Sequence, residues 1–366
     1  LYGVINKSGV EIVPFIYDEV ELLENTLILV SSNGLYGLLN RDGSLRHDIE
    51  YSQIIDVDSH YYLLYKGEDS DLYCIKNSAA LNFDPIDLEL LGLGYYRAYG
   101  FNGMKVGLFK DHDNCALTEV LPIAYGEINQ FDDDSFVGEL RNELKIMNAS
   151  NEKLTDSIYA SISPVHNGYA LAVKQSKVGY LNSHAQEVID FNFEPFMGMM
   201  SLGLFQEGNA IVKTEGLYGI IDTLGSYKIS PKYKQLIYLE GLYGIREDGD
   251  WSVLSFTQDS ITPAIYSSID ALGNGFVLYK ENGKYGMMDA EMNSIFPPVY
   301  RSIKRFKNHF VIVGCGDDLH YIMDRHGNPA STKGFSSVQS LTKTHLLVKY
   351  DNKIGYFRLT DGKLII

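Results

Sequence analysis

A chain of 366 residues is too long for one ordinary core, so it either divides into domains or is built from repeats that grow in one dimension. Its 45% hydrophobic and 21% charged residues are those of a folded protein, and 27 Tyr and 34 Gly beside a single Trp favour strands and tight turns, which predicts an all-β fold. The net charge of −16, from 47 acidic and 31 basic residues spread along the chain, repels a phosphate backbone and excludes nucleic acid as a partner class.

Three cysteines, Cys74, Cys115 and Cys315, are odd in number and far apart. They exclude a fully paired disulfide framework and a CxxC metal knuckle, and read as ordinary strand or turn residues. No apolar run approaches the roughly eighteen residues that a membrane span needs. The sequence starts at Leu1 inside a repeat, without a Met or a signal-like segment, so an upstream part is expected and localisation stays open.

In chain order the elements recur. Aligned on a Tyr-Gly pair or its equivalent, the units centre on Gly3, Gly37, Cys74, Gly107, Lys145, Gly179, Gly219, Ser252, Gly286, Tyr321 and Gly355, at spacings of 33 to 40 residues. Such a period marks a repeat architecture. Each unit opens with an apolar run, as in Leu27–Val30, Phe276–Tyr279 and His345–Val348. A turn pair follows, Asn33-Gly34, Asp248-Gly249 or Asn282-Gly283, and the chain returns through Tyr-Gly and two apolar residues as a β-hairpin. A second turn, Arg41-Asp42-Gly43 or Asp361-Gly362, leads to a third strand such as Val10–Val13. The unit closes on Pro-x-x-Tyr-x-x-Ile/Val, at Pro14/Tyr17/Val20, Pro122/Tyr125/Ile128, Pro263/Tyr266/Ile269 and Pro297/Tyr300/Ile303. Proline is expected to end the third strand because it cannot donate to a ladder, and the tail then forms a fourth strand or a helical turn. The Gly after the aromatic is expected where a ring or a neighbouring backbone comes close.

One such unit has too few strands to bury both faces, so neighbours must share a core. The fold class is therefore all-β: about eleven ~35-residue hairpin or meander repeats over residues 1–366, in an open solenoid-like superhelix. A propeller-like closed ring and two separate arrays are the alternatives, with a subdivision expected near 140–180.

This unit resembles the WG repeat of bacterial proteins, also called the KWG repeat. Tyr2, Tyr36, Tyr218 and Tyr285 stand where that family has Trp, and only Trp251 keeps the family residue, with Ser252 after it. The resemblance implies an interaction module and brings no catalytic motif.

The least regular stretch gathers Tyr95, Tyr96, Tyr99 and Phe101 around Arg97, residue types that dominate binding hot spots. These five are the candidate partner-binding residues, although the same residues also read as the apolar strand of the fourth unit. Asp111-His112-Asp113 and Asp132-Asp133-Asp134 lack the spacing of a calcium loop and read as solvated turns. His320 and His326 around Asp324 lack metal-ligand spacing, and no GxSxG, phosphate loop or complete GxGxxG occurs. No cofactor, metal or catalytic set is expected. The expected function is a non-enzymatic scaffold binding a protein, basic in character, through an extended acidic surface. A carbohydrate-binding module with exposed tyrosines is the alternative.

Overall fold

The computed structural model describes residues 1–23, 27–67, 69–76, 80–81, 85–100, 103–112, 115–196, 200–306, 309–314, 318–342 and 344–365. Among these the strands form eleven successive sheets, and every described pairing is antiparallel. None closes on itself, and the only helical element is a short 3-10 turn at Met200–Gly203. The chain divides into two compact units, Leu1–Val188 and Ile189–Ile366.

The second sheet shows the pattern: strands Glu19–Leu22, Ile28–Ser32, Leu35–Leu39 and Leu45–Tyr51 run as a simple meander. Its central hairpin turns at Asn33 and Gly34, with φ of 54° and 76°, the pair of left-handed residues that matches the twist of two strands. The following turn is closed by a side chain three residues after the repeat Gly. Asn6 Oδ1 accepts from the backbone N–H of Ser8 and Val10, Asn182 Oδ1 from His184 and Gln186, Asp222 Oδ1 from Leu224 and Ser226. Each is an Asx turn rewritten in another unit.

The closing motif divides between sheets. Tyr17 ends the strand Glu11–Tyr17, and Val20 belongs to the first strand of the next sheet, Glu19–Leu22. Tyr125 and Ile128, and Tyr300 and Ile303, divide in the same way. The tail is thus a strand and contains no helical turn. Proline ends the third strand at one of the four sites, Pro263, which follows the strand Ser260–Ile261; Pro14, Pro122 and Pro297 lie inside it. They sit in a bulge, where the missing N–H leaves no ladder bond unmade.

That bulge explains the repeat Gly. Tyr36 and Leu38 stand opposite Tyr51 and His47, so two steps on one strand face four on the other, and the extra residues press toward Gly37. A Cβ on Gly3 would lie 2.6 Å from the Val13 carbonyl oxygen; on Gly219 it would lie 2.6 Å from that of Ile229 and 2.9 Å from Pro231 N. At these two positions the closest atoms are backbone and cannot swing aside, whereas at Gly37 and Gly286 the closest belong to the side chains of Ile49 and Tyr279. Where Lys145 and Tyr321 replace the Gly, the returning segment has left the ladder and touches it at isolated bridges, Leu144 to Tyr159 and Met147 to Lys153, and His320 to Phe335 and Met323 to Pro329; at Ser252 it stays, with Leu254 and Ser255 paired to Ile261 and Ser260 beside the bridge of Trp251 to Tyr266.

The cores lie between consecutive sheets. Tyr61, Leu63, Leu72 and Cys74 of the third sheet pack on Leu88, Tyr96, Ala98 and Phe109 of the fourth. The other face of the fourth contributes Tyr95, Val106, Leu108 and Tyr125 to a second core with Ile128, Phe136 and Met147 of the fifth. In the second unit the pattern continues, with Val253 and Tyr266 packed on Ile269, Val277 and Met288. Inner strands are therefore buried on both faces and read as continuous apolar runs, as in Tyr61–Leu64.

One cysteine expectation is corrected. Cys74, fully buried at the end of strand Asp69–Cys74, is disulfide-bonded to Cys115, 41 positions later and beyond the fourth sheet's third strand. Cys315 lies outside the described residues.

Two outcomes test this account. Gly219→Ala should cost about 2–3 kcal/mol by overpacking against backbone, whereas Gly216→Ala, with φ of +78° and open space around it, should cost about 1 kcal/mol of backbone strain. Urea denaturation of both variants decides, and equal losses would remove the bulge argument. Thiol labelling of denatured, unreduced protein should modify one cysteine in three, and reduction should remove up to about 4 kcal/mol for a loop of this length. Three labelled cysteines would show that the bond does not form.

Candidate functional site

The aromatic cluster singled out in the sequence lies on the strand Tyr95–Tyr99 of the fourth sheet. Successive residues of a strand point to opposite faces, and here both faces are covered. Tyr96, 1% exposed, enters the core shared with the third sheet, its ring edge-on to Tyr61 and its hydroxyl donating to Asp58 Oδ2 at 2.6 Å. Tyr95, 4% exposed, enters the core shared with the fifth sheet and donates to Asp134 Oδ1 at 2.7 Å. Burial, with the carboxylate accepting its proton, pushes the Tyr95 hydroxyl up to about 12. Lys110 Nζ lies 3.8 Å from the Tyr95 ring centre, a cation-π contact.

Arg97 and Tyr99 share the face of Tyr95 but reach the rim. The Arg97 side chain is 15% exposed and its Nη1 lies 3.5 Å from Glu89. It donates to the Tyr99 hydroxyl at 3.3 Å and, through Nη2, to Asn129 Oδ1 at 3.3 Å. Tyr99 in turn donates to Glu89 Oε2 at 3.1 Å. Phe101 lies outside the described residues. The structure thus divides the predicted set: Tyr95 and Tyr96 fill cores, and Arg97 and Tyr99 form a polar chain at the surface.

That chain leads into a groove the sequence did not disclose. Asn129 passes the network to Glu127 Oε1 at 2.9 Å, and both residues border a groove of about 640 Å³ between the fifth sheet and the segment Tyr159–Pro164. Val137, Leu144 and Tyr159 supply its apolar wall, and Glu127 and Glu139 its charge. Neither of these two carboxylates forms an ion pair among the described residues. The Tyr159 hydroxyl donates to Glu187 Oε1 at 3.0 Å, which also receives Lys174 Nζ at 2.7 Å and Ser157 Oγ at 3.0 Å. The Lys174 bond holds the Glu187 carboxyl below the usual range against the opposing effect of burial.

The acidic runs divide: one reaches a hairpin turn, whereas Asp111 of the other is a buried strand residue and not part of a solvated turn. Asp133 and Asp134 form the hairpin turn after strand Ile128–Asp132, with Asp134 tied to Tyr95. Asp111 ends the strand Val106–Asp111, buried beside the Tyr61 and Tyr96 rings, while Asp113 lies outside the described residues. His326 and Asp324 meet within an Asx turn. Among the described residues no group of three His, Cys, Asp or Glu has metal-binding geometry, and no helix is long and apolar enough to cross a membrane.

The charge is not evenly spread, contrary to the sequence reading. Residues 1–188 hold 28 acidic and 13 basic side chains, and residues 189–366 hold 19 and 18. Nearly the whole excess belongs to the first unit, and a count by unit would have found it.

Fold and groove together define a tandem β-repeat protein, each sheet completed by its neighbours, with ligand-accessible surface at the junctions. Three segments, residues 2–36, 218–251 and 285–317, match the family described as WG containing repeat, each beginning at the Tyr of a Tyr-Gly pair. The chain thus carries segments that match WG-containing repeats. No curated protein matches it. Among solved structures it is similar to a eukaryotic initiation factor, at 7% identity and a TM-score of 0.35 over 76% of this chain and 87% of that one. Hsv2p of Kluyveromyces lactis gives 10% and 0.30, over 63% and 90%. PorZ of Porphyromonas gingivalis, a surface component of the type-IX secretion system, gives 9% and 0.24, over 99% and 64%. At scores this low the likenesses carry no argument.

The Glu187 cluster supplies a pH test of the groove wall. A carboxylate held below its unfolded value near 4.3 stabilises the fold above that pH and loses its contribution as pH falls through the lower folded value. Glu187→Gln should therefore lower the urea midpoint at pH 7, and the gap from wild type should narrow as pH falls below the unfolded carboxyl value. A gap unchanged across that range would show that the charge is not what holds Tyr159.

Proposed function

We propose that the protein is a non-enzymatic scaffold whose first unit binds a basic segment of a protein partner along the groove beside the fifth sheet. The observation that carries this reading is the meeting of two carboxylates without an ion pair among the described residues, Glu127 and Glu139, with the apolar wall of Val137, Leu144 and Tyr159. The excess of acidic side chains in residues 1–188 supports it, since such a field steers a cationic partner. Apolar wall and acidic rim together favour a segment that alternates basic and apolar side chains. Arg97, with Tyr99 behind it, is a positioning residue here, holding Asn129 and through it Glu127. The carbohydrate alternative asks for tyrosines repeated on one exposed face. Tyr36, Tyr218 and Tyr285 are half-buried opposite Tyr51, Tyr233 and Tyr300, and no further observation favours that reading.

A fluorescein-labelled decapeptide of alternating Lys and Val is the probe, followed by anisotropy with the full chain. Binding should weaken as NaCl rises from about 50 to 300 mM, and by about three- to fivefold for each of Glu127→Gln and Glu139→Gln. Salt-independent binding, or equal binding of a Glu-Val peptide, would overturn the proposal.

A further inference from the structure

The second unit contains a stretch that reverses the sign of the chain. Residues 301–349 hold eight basic and three acidic side chains. Three of the cationic or protonatable groups, Arg305, Arg325 and His326, line one cleft of about 260 Å³ between the ninth and tenth sheets. The ninth sheet comprises Ser268–Gly273, Phe276–Glu281, Lys284–Met288 and Ser294–Tyr300; the tenth comprises Ser302–Phe306, His309–Val313 and His320–Asp324.

The cleft has a floor and a rim. Phe276, Ile295 and Phe310 form the floor, with the two phenyl rings edge-on at 5.4 Å between centres. Arg305 is fixed: Nη1 donates to the Leu272 carbonyl at 2.6 Å and packs where Gly273, at φ +83°, has no Cβ. A Cβ on Gly273 would also lie 3.7 Å from Glu240 Oε1, and Glu240 Oε2 accepts the Gly275 N–H at 2.9 Å. Arg325 donates from Nε to His326 Nε2 at 3.0 Å, which makes Nε2 the acceptor and leaves the proton on Nδ1. Asp289, the one carboxylate that lines the cleft, has both oxygens engaged by Asn293, at 2.7 and 3.1 Å. Asn274 completes the rim with a neutral amide.

We propose that this cleft binds a small oxyanion carried on a flat apolar body, an aryl carboxylate or aryl phosphate, with the ring on the Phe276–Phe310 floor and the anion at Arg325 and His326. The chemistry follows from the lining. A planar guanidinium matches the oxygens of a carboxylate or phosphate two at a time, and Asp289, the carboxylate lining the cleft among the described residues, is already hydrogen-bonded through both oxygens by Asn293. Edge-on phenyl rings offer a third ring the stacking and edge contacts that a purely polar anion cannot use. The volume of about 260 Å³ accommodates one ring and its head group.

The test is calorimetric titration of the full chain with benzoate, phenyl phosphate and inorganic phosphate, alongside ¹³C-methyl spectra that report on Ile295. At least one aryl anion should bind and shift the Ile295 methyls, with inorganic phosphate at least tenfold weaker; comparison of the two aryl probes identifies the head group. Arg325→Gln, an exposed substitution that leaves the fold in place, should weaken binding about tenfold, and His326→Ala less. Absence of binding by all three probes, equal affinity for inorganic phosphate, or an unchanged affinity in Arg325→Gln would each overturn the assignment. The outcome is independent of the groove in the first unit.

Discussion

The structure depends on one constraint: each small sheet must bury both of its faces, and only the preceding and following sheets can cover them. Three or four strands with two apolar faces would leave a large hydrophobic surface in water if they stood alone. Tyr95 and Tyr96 show the solution in two adjacent residues, since they point to opposite faces and each is buried in a different core. Every inner strand thus serves two interfaces. Stability then accumulates along the chain by nearest-neighbour contacts, as in other repeat arrays.

The same constraint fixes where the repeat tolerates change. Tyr2, Tyr36, Tyr218, Trp251 and Tyr285 each lie opposite an aromatic fifteen positions later, Tyr17, Tyr51, Tyr233, Tyr266 and Tyr300. This cross-strand pair is kept even at Trp251, as an isolated bridge beside the ladder of Leu254 and Ser255 with Ile261 and Ser260. The Gly beside it answers to crowding by the returning strand, and Ser252 shows that a small side chain is accepted with that strand still on the ladder. At Lys145 and Tyr321 the detour is one residue longer, five steps against two, and the position accepts a side chain. The aromatic pair sets register, and the Gly serves the bulge; the two signals that look like one motif answer to different physics.

This separation also accounts for what the sequence conveyed. Local rules sufficed for the hairpins, because Asn33-Gly34 and Asn282-Gly283 encode their own backbone, and for the Asx turns at Asn6, Asn182 and Asp222. The WG resemblance rested on those local signals and is matched at three units. Proline inside a strand was misread because the bulge that excuses Pro14 exists only through its partner strand. The Cys74–Cys115 bond joins residues 41 positions apart and has no local signature. Likewise the cluster from Tyr95 to Tyr99 looks like one aromatic patch when written in a line. Strand alternation and two covering sheets divide it, and only Arg97 and Tyr99 reach a rim.

The rims are where the chain is free to differ, and they differ by unit. Turn and core positions hold Asn, Gly, Tyr and aliphatic residues in both halves, so the charge difference comes from side chains that folding does not fix. In the first unit these leave an acidic groove against Val137, Leu144 and Tyr159; in the second they place Arg305, Arg325 and His326 around Phe276 and Phe310. Both clefts occur at the same kind of place, the junction of one sheet with the next, because that is where two curved surfaces meet imperfectly above a shared core. A repeat that cannot vary its core can still vary what its junctions bind, and opposite charges at two junctions of one chain are what that freedom produces.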